Sequence, residues 1–251
     1  MSIKKATMSG EEGAAHGFPE WGGPTPRRPL LALLLLLPIP SLGCAAGMWW
    51  WPDTVLAKFI YGLSKLLLIA FPLIWHFFVD RGQFRRPRLS GIGVREGVLS
   101  GLVLCLLIVL GSGLALKYWV DAGEIRRQLT ALGYGGPLFF LLMALYWSTV
   151  NAVLEEMVWR WFFLRQLHGL FRRKSLVLLL SAAGFTLHHL VVVSAWLPMA
   201  PTLLVNFGIF CAGLHWSALT LRHRSLLPAC ISHILADLAL MGVGTWILFA
   251  P

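Results

Sequence analysis

Apolar residues run almost without interruption through most of this chain, broken at intervals by short polar stretches. Seven of the runs are long enough to cross about 30 Å of hydrocarbon as helices. Their approximate limits are 30–51, 54–79, 98–120, 137–164, 175–197, 201–221 and 226–249. No strand-like alternation and no internal repeat is evident. The pattern predicts an all-α fold, a polytopic transmembrane helix bundle of about seven spans. Residues 1–29 are rich in Gly and Pro and carry charges of both signs, so they predict a disordered tail ending at Arg27-Arg28. Residues 30–136 then hold the first three spans and 137–251 the last four.

Composition agrees with a core buried in lipid. The chain is 57% hydrophobic and 13% charged, where a soluble domain has about 25% charged residues. A net charge of +10 would suit nucleic acid, but the basic residues sit in short runs between apolar segments, which argues against such a partner. The tail, the loop at 80–97 (Arg81, Arg85, Arg86, Arg88, Arg95), the loop at 165–174 (Arg165, Arg172, Arg173, Lys174) and Arg222/Arg224 are basic. They alternate with loops at 51–53, 121–136 and 198–200 that carry few positive charges. The expected topology therefore has a cytoplasmic amino terminus and an outer carboxyl terminus. Trp49, Trp50, Trp51, Trp119 and Trp196 fall at the outer ends, as an aromatic belt would. Lys58 and Lys117 lie near span ends and are expected to snorkel; Lys65 lies deeper, and nothing in the sequence accounts for it. Cys44, Cys105, Cys211 and Cys230 have no paired spacing and read as small core residues. The first span, Arg-Arg followed by a Leu run, has the outline of a signal peptide. Ser41-Leu-Gly-Cys44 is a poor cleavage site, however, and an uncleaved anchor is expected.

The fourth run changes the picture, because it holds Asn151-Ala-Val-Leu-Glu155-Glu156-Met-Val-Trp-Arg160. Each charge at mid-helix costs roughly 3 kcal/mol, while a Leu or Phe returns only about 0.5. Glu156 and Arg160 are four residues apart and can pair along one helix face. Glu155 lies about 100° around the helix and faces something else. A structural ion pair between helices explains Glu156 and Arg160 but not Glu155.

Two further runs carry buried ionisable groups: Phe185-Thr-Leu-His188-His189, and His233-Ile-Leu-Ala-Asp237, whose His and Asp share a face. A lone histidine in an apolar helix is more often a packing residue. Three of the last four spans carry such groups and the first three almost none, so one shared polar cavity is the better account. At ~1.5 Å per residue, Glu155, His189 and His233 can meet in the cytoplasmic half of the membrane. A carboxylate and an imidazole holding one water make an activated nucleophile, and a second histidine with a polar neighbour can stabilise an oxyanion. That combination suits amide hydrolysis. No Ser or Cys nucleophile sits beside a base at helical spacing, and neither His-Glu-x-x-His nor its reverse is present.

These residues, in this order, resemble the CPBP family of intramembrane proteases, which includes the CAAX prenyl endopeptidases and bacterial relatives, some implicated in bacteriocin immunity. The family shows Glu-Glu-x-x-x-Arg, then Phe-x-x-x-His, then His-x-x-x-Asn, on separate transmembrane helices. Here they read Glu155-Glu156-Met-Val-Trp-Arg160, Phe185-Thr-Leu-His188-His189 and His233-Ile-Leu-Ala-Asp237. The resemblance covers residues 137–245 and makes 137–251 the expected catalytic core.

The resemblance implies that Glu155 and His189 polarise a water, that Glu156 and Arg160 brace the site, and that His233 helps hold the oxyanion. It leaves a metal open, since Glu155, His189 and His233 could bind zinc with a free fourth position. Asp237 stands where the family usually has Asn, and an ionised carboxylate cannot donate to an oxyanion as an amide can. That counts against the oxyanion role of the position and slightly favours a metal. His188, about 100° around the helix from His189, reads as an extra histidine that packs or supports the site from behind, Asn151 and His215 as cavity linings, and Trp159 as a mild change from Phe. The implied partners are the lipid bilayer and a membrane-associated protein or peptide, cleaved in CAAX-type processing or in removal of a carboxyl-terminal sorting or anchor segment. The expected location is a bacterial inner membrane. The competing expectation is a proton-coupled transporter or bacteriocin-immunity protein that uses the same carboxylates without proteolysis. The lack of a repeat between the halves counts against it.

Overall fold

The computed structural model describes residues 26–83 and 91–250. The expected disorder of residues 1–25 and the loop positions Arg85, Arg86 and Arg88 lie outside that range. All regular structure among the described residues is helical. Seven helices are long and apolar enough to cross a membrane: α1 (Pro29–Trp50), α2 (Val55–Val79), α3 (Val94–Tyr118), α5 (Pro137–Leu170), α6 (Lys174–Ser194), α7 (Met199–His223) and α8 (Leu227–Phe249). A short helix, α4 (Ala122–Ala131), joins α3 to α5. The protein is an all-α, multi-pass integral membrane bundle. Helices of this kind satisfy every interior backbone group within the segment, which lipid cannot do for them.

Local chemistry sets the helix ends. Thr54 caps α2 by accepting from Ala57 N at 3.1 Å, and Asp121 caps α4 by accepting from Gly123 N at 2.7 Å. Proline opens α1, α5 and α8, where its missing N–H costs nothing. Pro72 lies inside α2 and is followed by a π-helical turn over Trp75–Val79, one of the local adjustments by which a membrane helix accommodates proline. Arg126 of α4 donates to Ile247 O at 2.7 Å and to Ala250 O at 3.0 Å, satisfying carbonyls left over at the end of α8.

Three boundaries differ from the expected ones. The third span starts at Val94 rather than 98 because Glu96, which looks like loop, has basic partners at the end of α7: Arg222 at 3.2 Å and His223 at 3.1 Å. The expected loop at 121–136 contains α4. The fourth span runs on to Leu170, so Arg165 is a buried helical residue and not a loop charge. Its partners come from the end of α2 and the residue that follows it: His76 at 2.8 Å and Asp80, fully buried, at 3.3 Å. Asp80 also accepts from Gln166 at 2.9 Å and from the backbone N–H of Arg27 at 2.8 Å, tying the start of α1 to the ends of α2 and α5.

Two packing features position the interior. Trp159, Phe162, Phe185, Leu36, Leu164 and Val177 are fully buried where α1, α5 and α6 meet. On the other side, α3 presents Gly97-x-x-x-Gly101 to α8. A methyl on Gly97 would come within 2.5 Å of Pro228 O, and one on Gly101 within 3.1 Å of the Ser232 Cα. This is small-residue contact between membrane helices, and it brings Ser100 Oγ within 3.1 Å of Ser232 Oγ, one residue from His233. Trp49, Trp50, Trp51 and Trp119 are exposed at helix ends, and the Lys117 ammonium rests 5.1 Å from the Tyr118 ring. The four cysteines are free; Cys44 and Cys230 are buried, but Cys211, read as a core residue, is exposed.

Candidate active site

The centre of α5 is a short α-helical stretch, Ala152–Glu156, between two π-helical turns, Tyr146–Asn151 and Met157–Phe163. Such turns often accompany functional sites. They flank the two adjacent carboxylates, which serve two different clusters.

Glu155 is 6% exposed and turns toward α6. Its carboxylate and ring nitrogens of His188 and His189 all lie within 4.8 Å of one another. Asn151, one helical turn earlier, donates from Nδ2 to Glu155 Oε1 at 2.9 Å. His189 Nδ1 lies 2.9 Å from the Phe185 carbonyl. A carbonyl only accepts, so Nδ1 carries the proton, and in the neutral ring Nε2 is an acceptor. The His188 ring stacks parallel on Trp159, 5.4 Å between centroids, and its buried Nδ1 has no hydrogen-bond partner among the described residues.

Glu156 is fully buried and turns toward Arg160 and His233. Arg160 Nη1 lies 3.1 Å from its Oε1, and His233 Nδ1 of α8 lies 2.9 Å from the same oxygen. The guanidinium carbon of Arg160 sits 4.5 Å from the Phe185 ring centroid and 5.3 Å from that of Trp216, and Nη2 donates to Gly213 O at 3.3 Å. Gly213 permits this approach, because a Cβ there would press on Phe185 at 3.1 Å and on Arg160 at 3.4 Å. His233 stacks on Trp216 at 4.0 Å, and Trp216 donates to Ser232 Oγ at 3.0 Å. Asp237, 24% exposed at its side chain, is 3.7 Å from His233 Nε2.

All six motif residues therefore sit at this junction of α5, α6 and α8, but not in one cluster. Glu155 is grouped with His189; Glu156, Arg160, His233 and Asp237 form a connected chain beside it. The zinc set expected from the motifs, Glu155, His189 and His233, is not the set of nearby ligand atoms. His233 directs Nδ1 to Glu156, and His188 takes the third place. One carboxylate and two imidazoles, one with an unpartnered buried nitrogen, fit the three-ligand pattern of catalytic zinc sites.

Sequence reasoning set His188 aside because neighbouring helical residues diverge by about 100°. Both rings nevertheless flank Glu155, with centroids only 3.9 Å apart. It also found no place for Lys65, whose ammonium reaches within 3.5 Å of Asn151 Oδ1. Its depth in an apolar span was the only signal. His215 is exposed, whereas Asn151 is part of the site. A groove of about 630 Å³ between α3 and α8, lined by Val109, Gly113, Lys117, Gly242 and Trp246, holds none of the six motif residues.

Seven apolar spans enclosing buried carboxylates and imidazoles define a multi-pass membrane protein with an acid–base cluster in its interior. Residues 137–239 match the family model described as type II CAAX prenyl endopeptidase Rce1-like, a family of membrane proteases, and the family resemblance carried by the three motifs holds over that segment. No curated protein and no solved structure matches the chain.

Proposed function

We propose that the chain is an intramembrane endopeptidase that hydrolyses a peptide bond near the carboxyl terminus of a membrane-associated protein or peptide. The observation that carries this reading is the buried Glu155 carboxylate within 4.8 Å of two imidazole nitrogens. A water between Glu155 and His189 Nε2 meets two acceptors. It gives each a hydrogen and is left with its lone pairs directed away from both, toward a substrate carbonyl. Glu155 takes the proton as the water oxygen bonds to the carbonyl carbon. The same proton passes to the amide nitrogen as the C–N bond breaks.

His233 lies between the Glu156 and Asp237 carboxylates. In its protonated form it donates from both nitrogens, and the Nε2–H is the candidate donor to the oxyanion. Arg160 balances the charge of Glu156. If zinc is the resident metal, Glu155, His188 and His189 would hold it, and it would supply Lewis-acid polarisation of water and carbonyl. The substrate class implied by the family is a prenylated protein ending in Cys-a-a-X, with a carboxyl-terminal anchor segment as the other candidate. The basic loops support an amino terminus on the cytoplasmic side, and the location proposed is a bacterial inner membrane.

The test is cleavage of a farnesylated Cys-a-a-X peptide by the full chain in liposomes, with comparative membrane proteomics of wild type and Glu155→Gln for uncleaved termini. The reading expects wild-type turnover and a loss of at least about 100-fold in Glu155→Gln, the lower range for a general base. Equal activity in the two proteins overturns it. Proton flux coupled to a substrate gradient, without cleavage, would favour the transporter instead.

A further inference from the structure

Lys65 lies ten residues into α2, about 15 Å along the helix at ~1.5 Å per residue. An ammonium so deep in an apolar span is unfavourable unless something offsets it. Part of the offset is aromatic: Nζ is 4.9 Å from the Trp147 ring centroid and 5.7 Å from that of Tyr61. Among the described residues its hydrogen-bond partner is Asn151 Oδ1 at 3.5 Å. Asn151 is itself buried and donates to Glu155 Oε1 at 2.9 Å.

The chemistry of the three groups fixes the direction of this chain. An ammonium only donates, and an ionised carboxylate only accepts. An amide bridging them must turn its oxygen to Lys65 and its NH2 to Glu155. The reversed amide would set NH2 against the ammonium and oxygen against the carboxylate, two repulsive contacts. The cation therefore selects the amide orientation. The amide then occupies Oε1 and leaves Oε2 for the proton of the attacking water.

We infer that Lys65 is a positioning residue for the proposed hydrolysis, acting through Asn151 to hold the Glu155 carboxylate. It does not touch the reacting atoms. The inference rests on the endopeptidase reading and extends it beyond the matched segment, since it makes the second span part of the working site. A lysine that merely fills space between Trp147 and Tyr61 would not act through Asn151, and that difference is measurable.

The experiment is a double-variant cycle on the full chain in liposomes, with the farnesylated Cys-a-a-X peptide as probe. Lys65→Met is expected to lower kcat about tenfold with KM little changed, the scale for a group one hydrogen bond behind a reacting side chain. Lys65→Arg, which keeps the cation, should recover most of it. Lys65→Met combined with Asn151→Ala should be no slower than Asn151→Ala alone, because the lysine then has nothing to orient. Wild-type kcat in Lys65→Met, or effects that multiply in the double variant, overturns the inference. If Lys65→Met does not fold, Lys65→Gln takes its place in the cycle. If the wild type cleaves nothing, the endopeptidase reading fails first. The coupling is then read from the melting temperatures of the same proteins, where purely additive shifts overturn it.

Discussion

His233 Nδ1 and Glu156 Oε1 lie 2.9 Å apart although 77 residues separate them in the chain. The carboxylate that pairs with Arg160 on its own helix thus also holds the imidazole of the last span. Replacing Glu156 by Gln leaves the fully buried Arg160 without its counter-charge, and breaking a buried pair in this way costs about 3–5 kcal/mol. The melting temperature of Glu156→Gln in detergent should therefore fall clearly below wild type. Glu155 makes no ion pair with Arg or Lys among the described residues, so Glu155→Gln should melt near wild type. Equal melting of the two variants would contradict this division of labour.

Asp237 offers a gain-of-function test. Its carboxylate is 3.7 Å from His233 Nε2 and partly exposed. If the position faces the oxyanion, Asp237→Asn supplies an N–H that an ionised carboxylate lacks. Its kcat on the farnesylated peptide should equal or exceed that of wild type, while Asp237→Ala falls below it. A variant Asn that is as poor as Ala would assign Asp237 to holding His233.

Metal retention separates two ligand sets. If zinc is the resident metal, chelator-treated protein given one equivalent of zinc and then desalted should keep it in wild type and in His233→Ala. Glu155→Ala, His188→Ala and His189→Ala should each lose it, because those three side chains have neighbouring ligand atoms. Atomic absorption of the five proteins decides the matter. Loss in His233→Ala with retention in His188→Ala would favour the set implied by the motifs.

Asp80 is the junction of α1, α2 and α5, where it meets Arg27, Arg165 and Gln166. Asp80→Ala removes the charge facing Arg165 and should cost about 3–5 kcal/mol, as for other buried pairs with one partner deleted. Limited proteolysis should then cut near the start of α1 faster than in wild type. An unchanged cleavage pattern would show that the other contacts of α1 hold it in place.

What could be read in advance divides by distance along the chain. The seven spans were legible because lipid demands long apolar runs, and the Glu156–Arg160 pair because four residues is one helical turn. The ends of α3 and α5 were not, since Glu96 and Arg165 look like loop charges until Arg222 and Asp80 are found beside them. The same limit hid His233 behind Glu156 and Lys65 behind Asn151. Helix α4 was missed because it is short and its apolar residues are few.

The over-wide turns on either side of Ala152–Glu156 bear on how this helix tolerates change. Each holds a residue more than an α-helical turn would need. Loss of one residue from Tyr146–Asn151 can be absorbed by tightening that turn to an α-helical one, so that the stretch before it and the acidic pair both keep their bearing. Length variation in the entry half of this crossing is therefore separable from the chemistry at its middle.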